Sequence, residues 1–218
     1  MRLDVMSTLL ARYALPPAAI ETRSLAHVEA RLADRLPADP AARAVAARMV
    51  YAAGDLTLVD AIRMSPDFVA AAMSALRAAR PVVADVRMLA VAVESGPLAR
   101  LGCSVQVALA APGAAERAQV EGTTRTAAGL ALLADEWAGG IVAIGTAPTA
   151  LLALLDLVDA GYPAPAAVVG MPVGFVAAAE SKDELIRRTI PYATVVGTRG
   201  GAALAGAALN ALGRLALA

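Results

Sequence analysis

The chain has 218 residues, 59% hydrophobic but only 3% aromatic, so one substantial core must be built from Ala, Leu and Val with few rings. Nineteen basic and nineteen acidic residues cancel, which excludes a long-range field that would draw in nucleic acid or anionic lipid. The lone cysteine, Cys103, excludes an intramolecular disulfide, and with no charged leader before an apolar stretch this fits a reducing cytoplasm.

Leu9 to Tyr13 reads as a short helical lead-in, and Ile20 to Ser24 leads into a helix carrying His27, the sole histidine. Asp39-Pro40 opens the next helix, with Asp39 as cap and Pro40 in the first helical position. It runs through Arg48-Met49-Val50-Tyr51 and ends at Gly54. Ser65-Pro66-Asp67 repeats that start signal, and Phe68, Ala71, Ala72, Ala75, Leu76 and Ala79 follow at helical spacing. Pro81 to Asp85 and Ser104 to Leu109 read as strands, and Thr124 to Trp137 as a helix. Two similar units follow. In the first, Ile141 to Ile144 runs into Gly145-Thr146-Ala147-Pro148-Thr149-Ala150 and an apolar stretch through Leu157. In the second, Ala166 to Val169 runs into Gly170-Met171-Pro172-Val173-Gly174-Phe175 and then Glu180-Ser181-Lys182-Asp183-Glu184-Leu185. Ala193 to Val196 is the last strand, and Gly200-Gly201 opens an alanine-rich helix through Leu212.

Strands written as unbroken apolar runs are covered on both faces, as in parallel sheets built from strand-helix-strand units. The alternation predicts a single α/β domain over residues 1–218, a doubly wound, mostly parallel sheet of about five strands with helices on both faces. Such sheets bind ligands beyond the carboxyl ends of their strands, so the two Gly/Pro turns are expected to line a site. Trp137 to Leu155 carries no charge and is long enough to span a bilayer at about twenty residues. Gly139, Gly140, Gly145, Thr146, Pro148 and Thr149 split it into strand, turn and helix start, so no membrane span is expected. Cys103 is expected to be a small core residue. An alanine-heavy surface is expected to continue into a subunit interface.

No His/Cys/Asp/Glu group has metal-ligand spacing and no Gly-Lys-Ser/Thr phosphate loop occurs, so a protein-held metal is not expected and an enzyme acting on phosphorylated metabolites, which would rest only on the Gly-rich turns, is disfavoured. Asp55 and Asp85 follow apolar stretches and either orient a cleft residue or are solvated loop carboxylates. Glu180-Ser181-Lys182 either meets a ligand or simply starts a helix, with Ser181 or Glu180 satisfying first-turn amides. By pattern alone, a small-molecule or anion-binding module without catalysis is a second reading.

Gly170-Met171-Pro172-Val173-Gly174-Phe175-Val176, followed by Ala178-Ala179-Glu180-Ser181-Lys182, resembles the signature of the precorrin-8X methylmutases of vitamin B12 biosynthesis nearly letter for letter. Ala143-Ile144-Gly145, Ala147-Pro148-Thr149-Ala150, Thr124-Arg125, Arg23-Ser24, Arg48-Met49-Val50, Ser65-Pro66-Asp67-Phe68-Val69, Gly200-Gly201 and Asn210-Ala211-Leu212 extend the resemblance in family order over roughly residues 20 to 212. It implies an isomerase that moves a methyl group between adjacent ring C carbons of a corrinoid precursor, yielding hydrogenobyrinic acid or its cobalt form. No external cofactor is implied, and the family is homodimeric, with both subunits contributing to each tetrapyrrole cleft. The implied site comprises Tyr51 at the catalytic position and Arg23, Ser24, Arg125, Gly145, Thr146, Pro172, Gly174, Arg199 and Gly200 around the substrate. Arginines suit peripheral carboxylates through bidentate hydrogen bonds, and amides in the turns at Gly145, Gly174 and Gly200 are expected to help.

Three positions depart from the family pattern. The family's catalytic histidine after Arg-Met-Val is Tyr51 here, its Asn before Ala-Pro-Thr-Ala is Thr146, and its Ser after the paired glycines is Ala202. His27 follows the Arg23-Ser24 match by several residues and reads as an ordinary helix-surface side chain. Imidazole, with an ordinary pKa of about 6.5, can donate and recover a proton near neutrality. A phenol, at about 10, still donates a hydrogen bond but is the weaker proton donor by about 4.8 kcal/mol. Two readings remain: a methylmutase that uses a phenol, or a corrinoid-binding relative with reduced or no mutase activity.

Overall fold

The computed structural model describes Tyr13 and residues 16–218, so the lead-in expected over residues 9–13 lies outside the described residues except for Tyr13. Among the described residues six strands form one sheet: β1 (Ile62–Met64), β2 (Val82–Ala84), β3 (Val105–Val107), β4 (Ile141–Ile144), β5 (Ala167–Gly170) and β6 (Tyr192–Val195). Their order across the sheet is β1-β6-β5-β4-β2-β3. All neighbours are parallel except β1, which runs antiparallel to β6.

The expected count of about five strands becomes six because of β1. Its three residues, Ile-Arg-Met, are too short and too interrupted to stand out in the sequence; they are held by pairing Ile62 with Val195, Arg63 with Thr194 and Met64 with Ala193. In β2, β4 and β5 the expectation of unbroken apolar strands holds, β6 carries the buried Thr194, whose hydroxyl donates to the Gly170 carbonyl, and alternate residues feed two cores. Val82, Ala84, Ile141, Ala143, Ala167, Val169, Ala193 and Val195 belong to one core. Val83, Val142, Ile144 and Val168 belong to the other. Burial on both faces explains why these strands show no polar alternation.

The first core is covered by α1 (Pro17–Arg31), α2 (Pro40–Ala53), α3 (Phe68–Arg77), α4 (Arg87–Ala92) and α5 (Ser95–Arg100). Next, α6 (Ala114–Glu121) leads to α7 (Arg125–Leu132), α8 (Ala134–Trp137), α9 (Pro148–Asp159) and α10 (Ala178–Ile186), and α7 to α10 cover the second core. The last helix, α11 (Ala202–Leu217), returns to the first core. Asp39 caps α2 by accepting from the Ala42 amide at 2.8 Å, and Gly54 ends that helix in the left-handed conformation.

Three local expectations are corrected. The helix expected over residues 124–137 breaks at Leu133 into α7 and α8. Ala79 lies beyond the end of α3 with φ of 54° and is exposed, so it adds nothing to the apolar stripe. Ser181 donates to the Ala178 carbonyl at 3.1 Å and does not cap first-turn amides. Cys103 is buried as expected, donating to the Leu76 carbonyl at 3.3 Å, and burial pushes its thiol pKa up. No helix among the described residues is long and apolar enough to cross a membrane.

Candidate active site

On α1, Ile20, Arg23, Ser24, His27 and Val28 recur at helical spacing and therefore share one face. That face forms one wall of a cleft of about 620 Å³. Val50, Tyr51 and Gly54 at the end of α2, with Asp55 and Leu56 just beyond, form the other wall. Its size is that of a small-molecule site. Tyr51 is half-buried, and the Arg48 guanidinium lies 5.2 Å from its ring centroid, a cation–π contact that fixes the ring. Among the described residues the Tyr51 hydroxyl has no hydrogen-bond partner, and neither Arg23 nor His27 makes a side-chain hydrogen bond or ion pair. Ser24 differs, donating to the Ile20 carbonyl at 2.8 Å.

Ion pairs hold α1 in place. Glu21 pairs with Arg48 at 2.6 Å and also with Arg214, while Glu94 pairs with Arg214 at 2.7 Å. Hydrogen bonding to Arg214, with the charge of Arg48, lowers the Glu21 pKa. This cluster lies on the side of α1 away from Arg23 and His27, so it positions the cleft wall without consuming its polar groups.

Asp55 joins the first cleft to a second, of about 360 Å³, lined by Leu58, Val173, Arg199, Gly200 and Leu204 among others. One Asp55 oxygen accepts from the Thr57 amide at 2.8 Å and the Thr57 hydroxyl at 2.7 Å; the other accepts from Arg199 at 3.0 Å. These bonds, Thr57 first and Arg199 after it, hold the Asp55 carboxyl below its ordinary range. Arg199 and Gly200, both expected from the sequence to meet substrate, are thus brought to the neighbourhood of Tyr51.

The turns beyond β5 and β6 are knitted together behind this second cleft. Gly201 donates to the Met171 carbonyl at 2.8 Å and Gly174 to the Thr198 carbonyl at 3.1 Å. Lys182, with no exposed surface, donates from Nζ to the Pro172 carbonyl at 3.0 Å and the Arg199 carbonyl at 2.7 Å. Desolvation lowers its pKa to about 8. Gly200 is glycine for space: a Cβ there would sit 2.3 Å from the Met171 carbonyl oxygen. Beside the cleft, Phe175 and Val176 are 93% and 84% exposed, and Ala177 adopts φ of 60°. Lys182 therefore serves the backbone of the turns and does not reach a ligand directly.

The turn beyond β4 behaves differently. Asp85, wholly buried at the end of β2, accepts from the Val86 amide at 2.9 Å, the Thr146 amide at 2.7 Å and the Ala147 amide at 2.9 Å. The strand order reverses between β2 and β4, so a side chain fills the crevice where open α/β sheets otherwise admit ligands. Of the amides in these turns, Thr146 and Ala147 are engaged by Asp85, and Gly174 and Gly201 by carbonyls. Gly145 packs on the start of α11, where a Cβ would meet the Ala202 Cα at 2.6 Å. Thr146 Oγ1 is enclosed and lacks a partner among the described residues. Neither residue lines the two clefts. Arg125, exposed and without a side-chain partner among the described residues, stands at the start of α7, beside the 2.7 Å contact of Thr124 with Thr149; it lines neither cleft. Among the described residues no His/Cys/Asp/Glu group could hold a metal ion.

A family model described as precorrin-8X methylmutase matches residues 19–215. The chain belongs to the precorrin-8X methylmutase family. The precorrin-8X methylmutase of a Sinorhizobium species is 45% identical over 172 residues, covering 78% of this chain and 81% of the relative. That of Pseudomonas aeruginosa is 43% identical over 189 residues, covering 84% and 88%. The solved precorrin-8x methyl mutase from Thermus thermophilus superposes with a TM-score of 0.83 at 35% identity, covering 91% of this chain and 98% of that one. The family resemblance drawn from the turn motifs is therefore correct, as is the mixed α/β sheet fold. In this methylmutase-family chain the motifs leave unmarked the place of His27, which its helical register with Arg23 could have flagged. Asp85, noted for following an apolar stretch, is not a solvated loop carboxylate but is wholly buried on turn amides, and Lys182, noted in the second turn unit, braces carbonyls instead of meeting a ligand.

Proposed function

We propose that the chain catalyses the methylmutase isomerisation of a precorrin-8X-type corrinoid, moving a methyl group between adjacent ring C carbons to give hydrogenobyrinic acid or its cobalt form. The observation that carries this reading is the unpartnered Tyr51 hydroxyl in a cleft it shares with the uncommitted Arg23, in a chain of the methylmutase family. One carbon–carbon bond breaks and another forms within the substrate, so the isomerisation needs no external methyl donor and no redox partner. The protein must hold the ring, keep its carboxylates paired and handle a proton. Arg23 suits a peripheral carboxylate through a bidentate pair, with Arg125 and Arg199 at the periphery. Tyr51 donates a hydrogen bond to the macrocycle and orients it. Ser24 and Gly200 shape the walls, with Pro172 and Gly174 in the turns behind the second cleft, while Gly145 and Thr146 stand apart from both clefts.

The working form in this reading is a cytoplasmic homodimer that shares its clefts, and exposed Phe175 and Val176 beside the second cleft are apolar side chains such a contact would cover. The test is to follow the product's absorbance after giving precorrin-8X to the wild type, Tyr51→Phe and Tyr51→His. Loss of the phenolic hydrogen bond is expected to slow turnover about tenfold, the size of one good hydrogen bond. Equal turnover by the phenylalanine variant removes Tyr51 from the chemistry. A wild type that binds the pigment and leaves it unchanged establishes a corrinoid-binding protein instead.

A further inference from the structure

We infer that His27 is the catalytic proton donor, acting on the macrocycle from the α1 wall across the cleft from Tyr51; this rests on the methylmutase reading above. Elimination among the polar groups of one cavity singles it out. Among the described residues, Arg23, His27, Tyr51 and Asp55 are the charged or titratable side chains lining the first cleft. A guanidinium does not release its proton in proteins. Asp55 is held as a carboxylate by two bonds from Thr57 and one from Arg199, so it has no proton to give near neutrality. A phenol ordinarily ionises near 10 and is suited to donating a hydrogen bond without losing its proton. Imidazole is the side chain whose ordinary range falls between about 5 and 8.

Geometry supports the same residue. His27 lies four positions after Arg23 and three after Ser24, which places all three on the face of α1 that walls the cleft. Among the described residues it makes no side-chain hydrogen bond, so both ring nitrogens are free to meet substrate. In the step itself, the His27 N–H bond breaks and an N–H bond forms on a macrocycle nitrogen, leaving neutral imidazole and a cationic ring. The methyl then shifts between neighbouring carbons, and the ring returns the proton to His27. No electrons enter or leave, and substrate and product are isomers.

The experiment compares wild type, His27→Gln and His27→Gln/Tyr51→His in titrations read by corrinoid absorbance and in single-turnover conversion of precorrin-8X. His27 is exposed, so its replacement leaves the core intact. Expected are substrate affinity within about threefold of wild type for His27→Gln and conversion slowed by about a hundredfold or more, the usual contribution of a positioned acid. The double variant, with an imidazole returned on the opposite wall, is expected to recover at least about tenfold of that loss. Wild-type conversion by His27→Gln overturns the inference while leaving the methylmutase reading standing. Parallel loss of affinity and conversion overturns it too, since that is the behaviour of a binding residue. A wild type that binds the pigment without converting it overturns both.

Discussion

Replacing Lys182 by methionine tests how the turns beyond β5 and β6 are held. Lys182 is the single lysine among nineteen basic residues, and it is wholly buried. Its amine bridges the Pro172 and Arg199 carbonyls at 3.0 and 2.7 Å. Desolvation lowers its pKa from 10.5 to about 8, a drop that corresponds to about 3 kcal/mol. The sign follows from which state takes the proton first. As pH falls through 10.5 the unfolded chain is protonated while the folded chain is not, so the wild type loses stability until about pH 8 and carries the full penalty below that. Above the window the neutral amine still donates to both carbonyls at no charging cost. Methionine fills similar space with no proton to bind, and leaves two carbonyls without a partner at about 1–3 kcal/mol each. The wild type should therefore exceed Lys182→Met in stability by about 2–4 kcal/mol at about pH 10.5, and by about 3 kcal/mol less than that at about pH 7. Urea unfolding of both proteins at the two pH values measures the difference, and groups common to both cancel. A difference that stays flat with pH would refute the burial-driven shift.

Asp85→Asn is expected to cost about 3 kcal/mol, much more than its shape suggests, because both carboxylate oxygens accept backbone N–H groups and either amide orientation turns an NH₂ toward one of them. A loss under about 1 kcal/mol in thermal or urea unfolding would count against that bonding. Arg199→Ala should change stability by less than about 1 kcal/mol, since its pair with Asp55 is half-exposed. Corrinoid affinity should nevertheless fall about tenfold through loss of a carboxylate partner; unaltered affinity in an absorbance titration would take Arg199 out of the substrate site.

Much of the sheet could be read in advance because β2, β4 and β5 are apolar on both faces, and that pattern survives in sequence. Strand β1 could not, since three residues with exposed Arg63 in the middle owe their conformation to β6. The short helices α4 to α6 were equally hidden: α5 contains Gly96 and Pro97, and α6 has only eight residues, half of them polar. Tyr51, Arg199 and Gly200 were legible as motif positions. The cleft between α1 and α2 was not, because it arises from how two helices pack, and helix packing brought His27 to the wall facing Tyr51. Asp85 shows the converse, where knowledge of the turn alone suggested free amides that a carboxylate from the neighbouring strand had already taken.

The antiparallel edge strand has a consequence for how the protein breathes. One stretch of chain, from Tyr51 through Asp55 to Met64, carries cleft residues at its start and seals the sheet at its end. Its last residues are fastened by Ile62, Arg63 and Met64 on β6 and by the Ser65 amide on the Tyr192 carbonyl at 2.9 Å. A transient peeling of that margin would drag Asp55 from Arg199 and deform the pocket in the same event, whereas an occupied pocket would hold the margin shut. Amide hydrogens along β1 and β6 are therefore expected to exchange more slowly when the pocket is occupied, which hydrogen exchange with and without corrinoid checks.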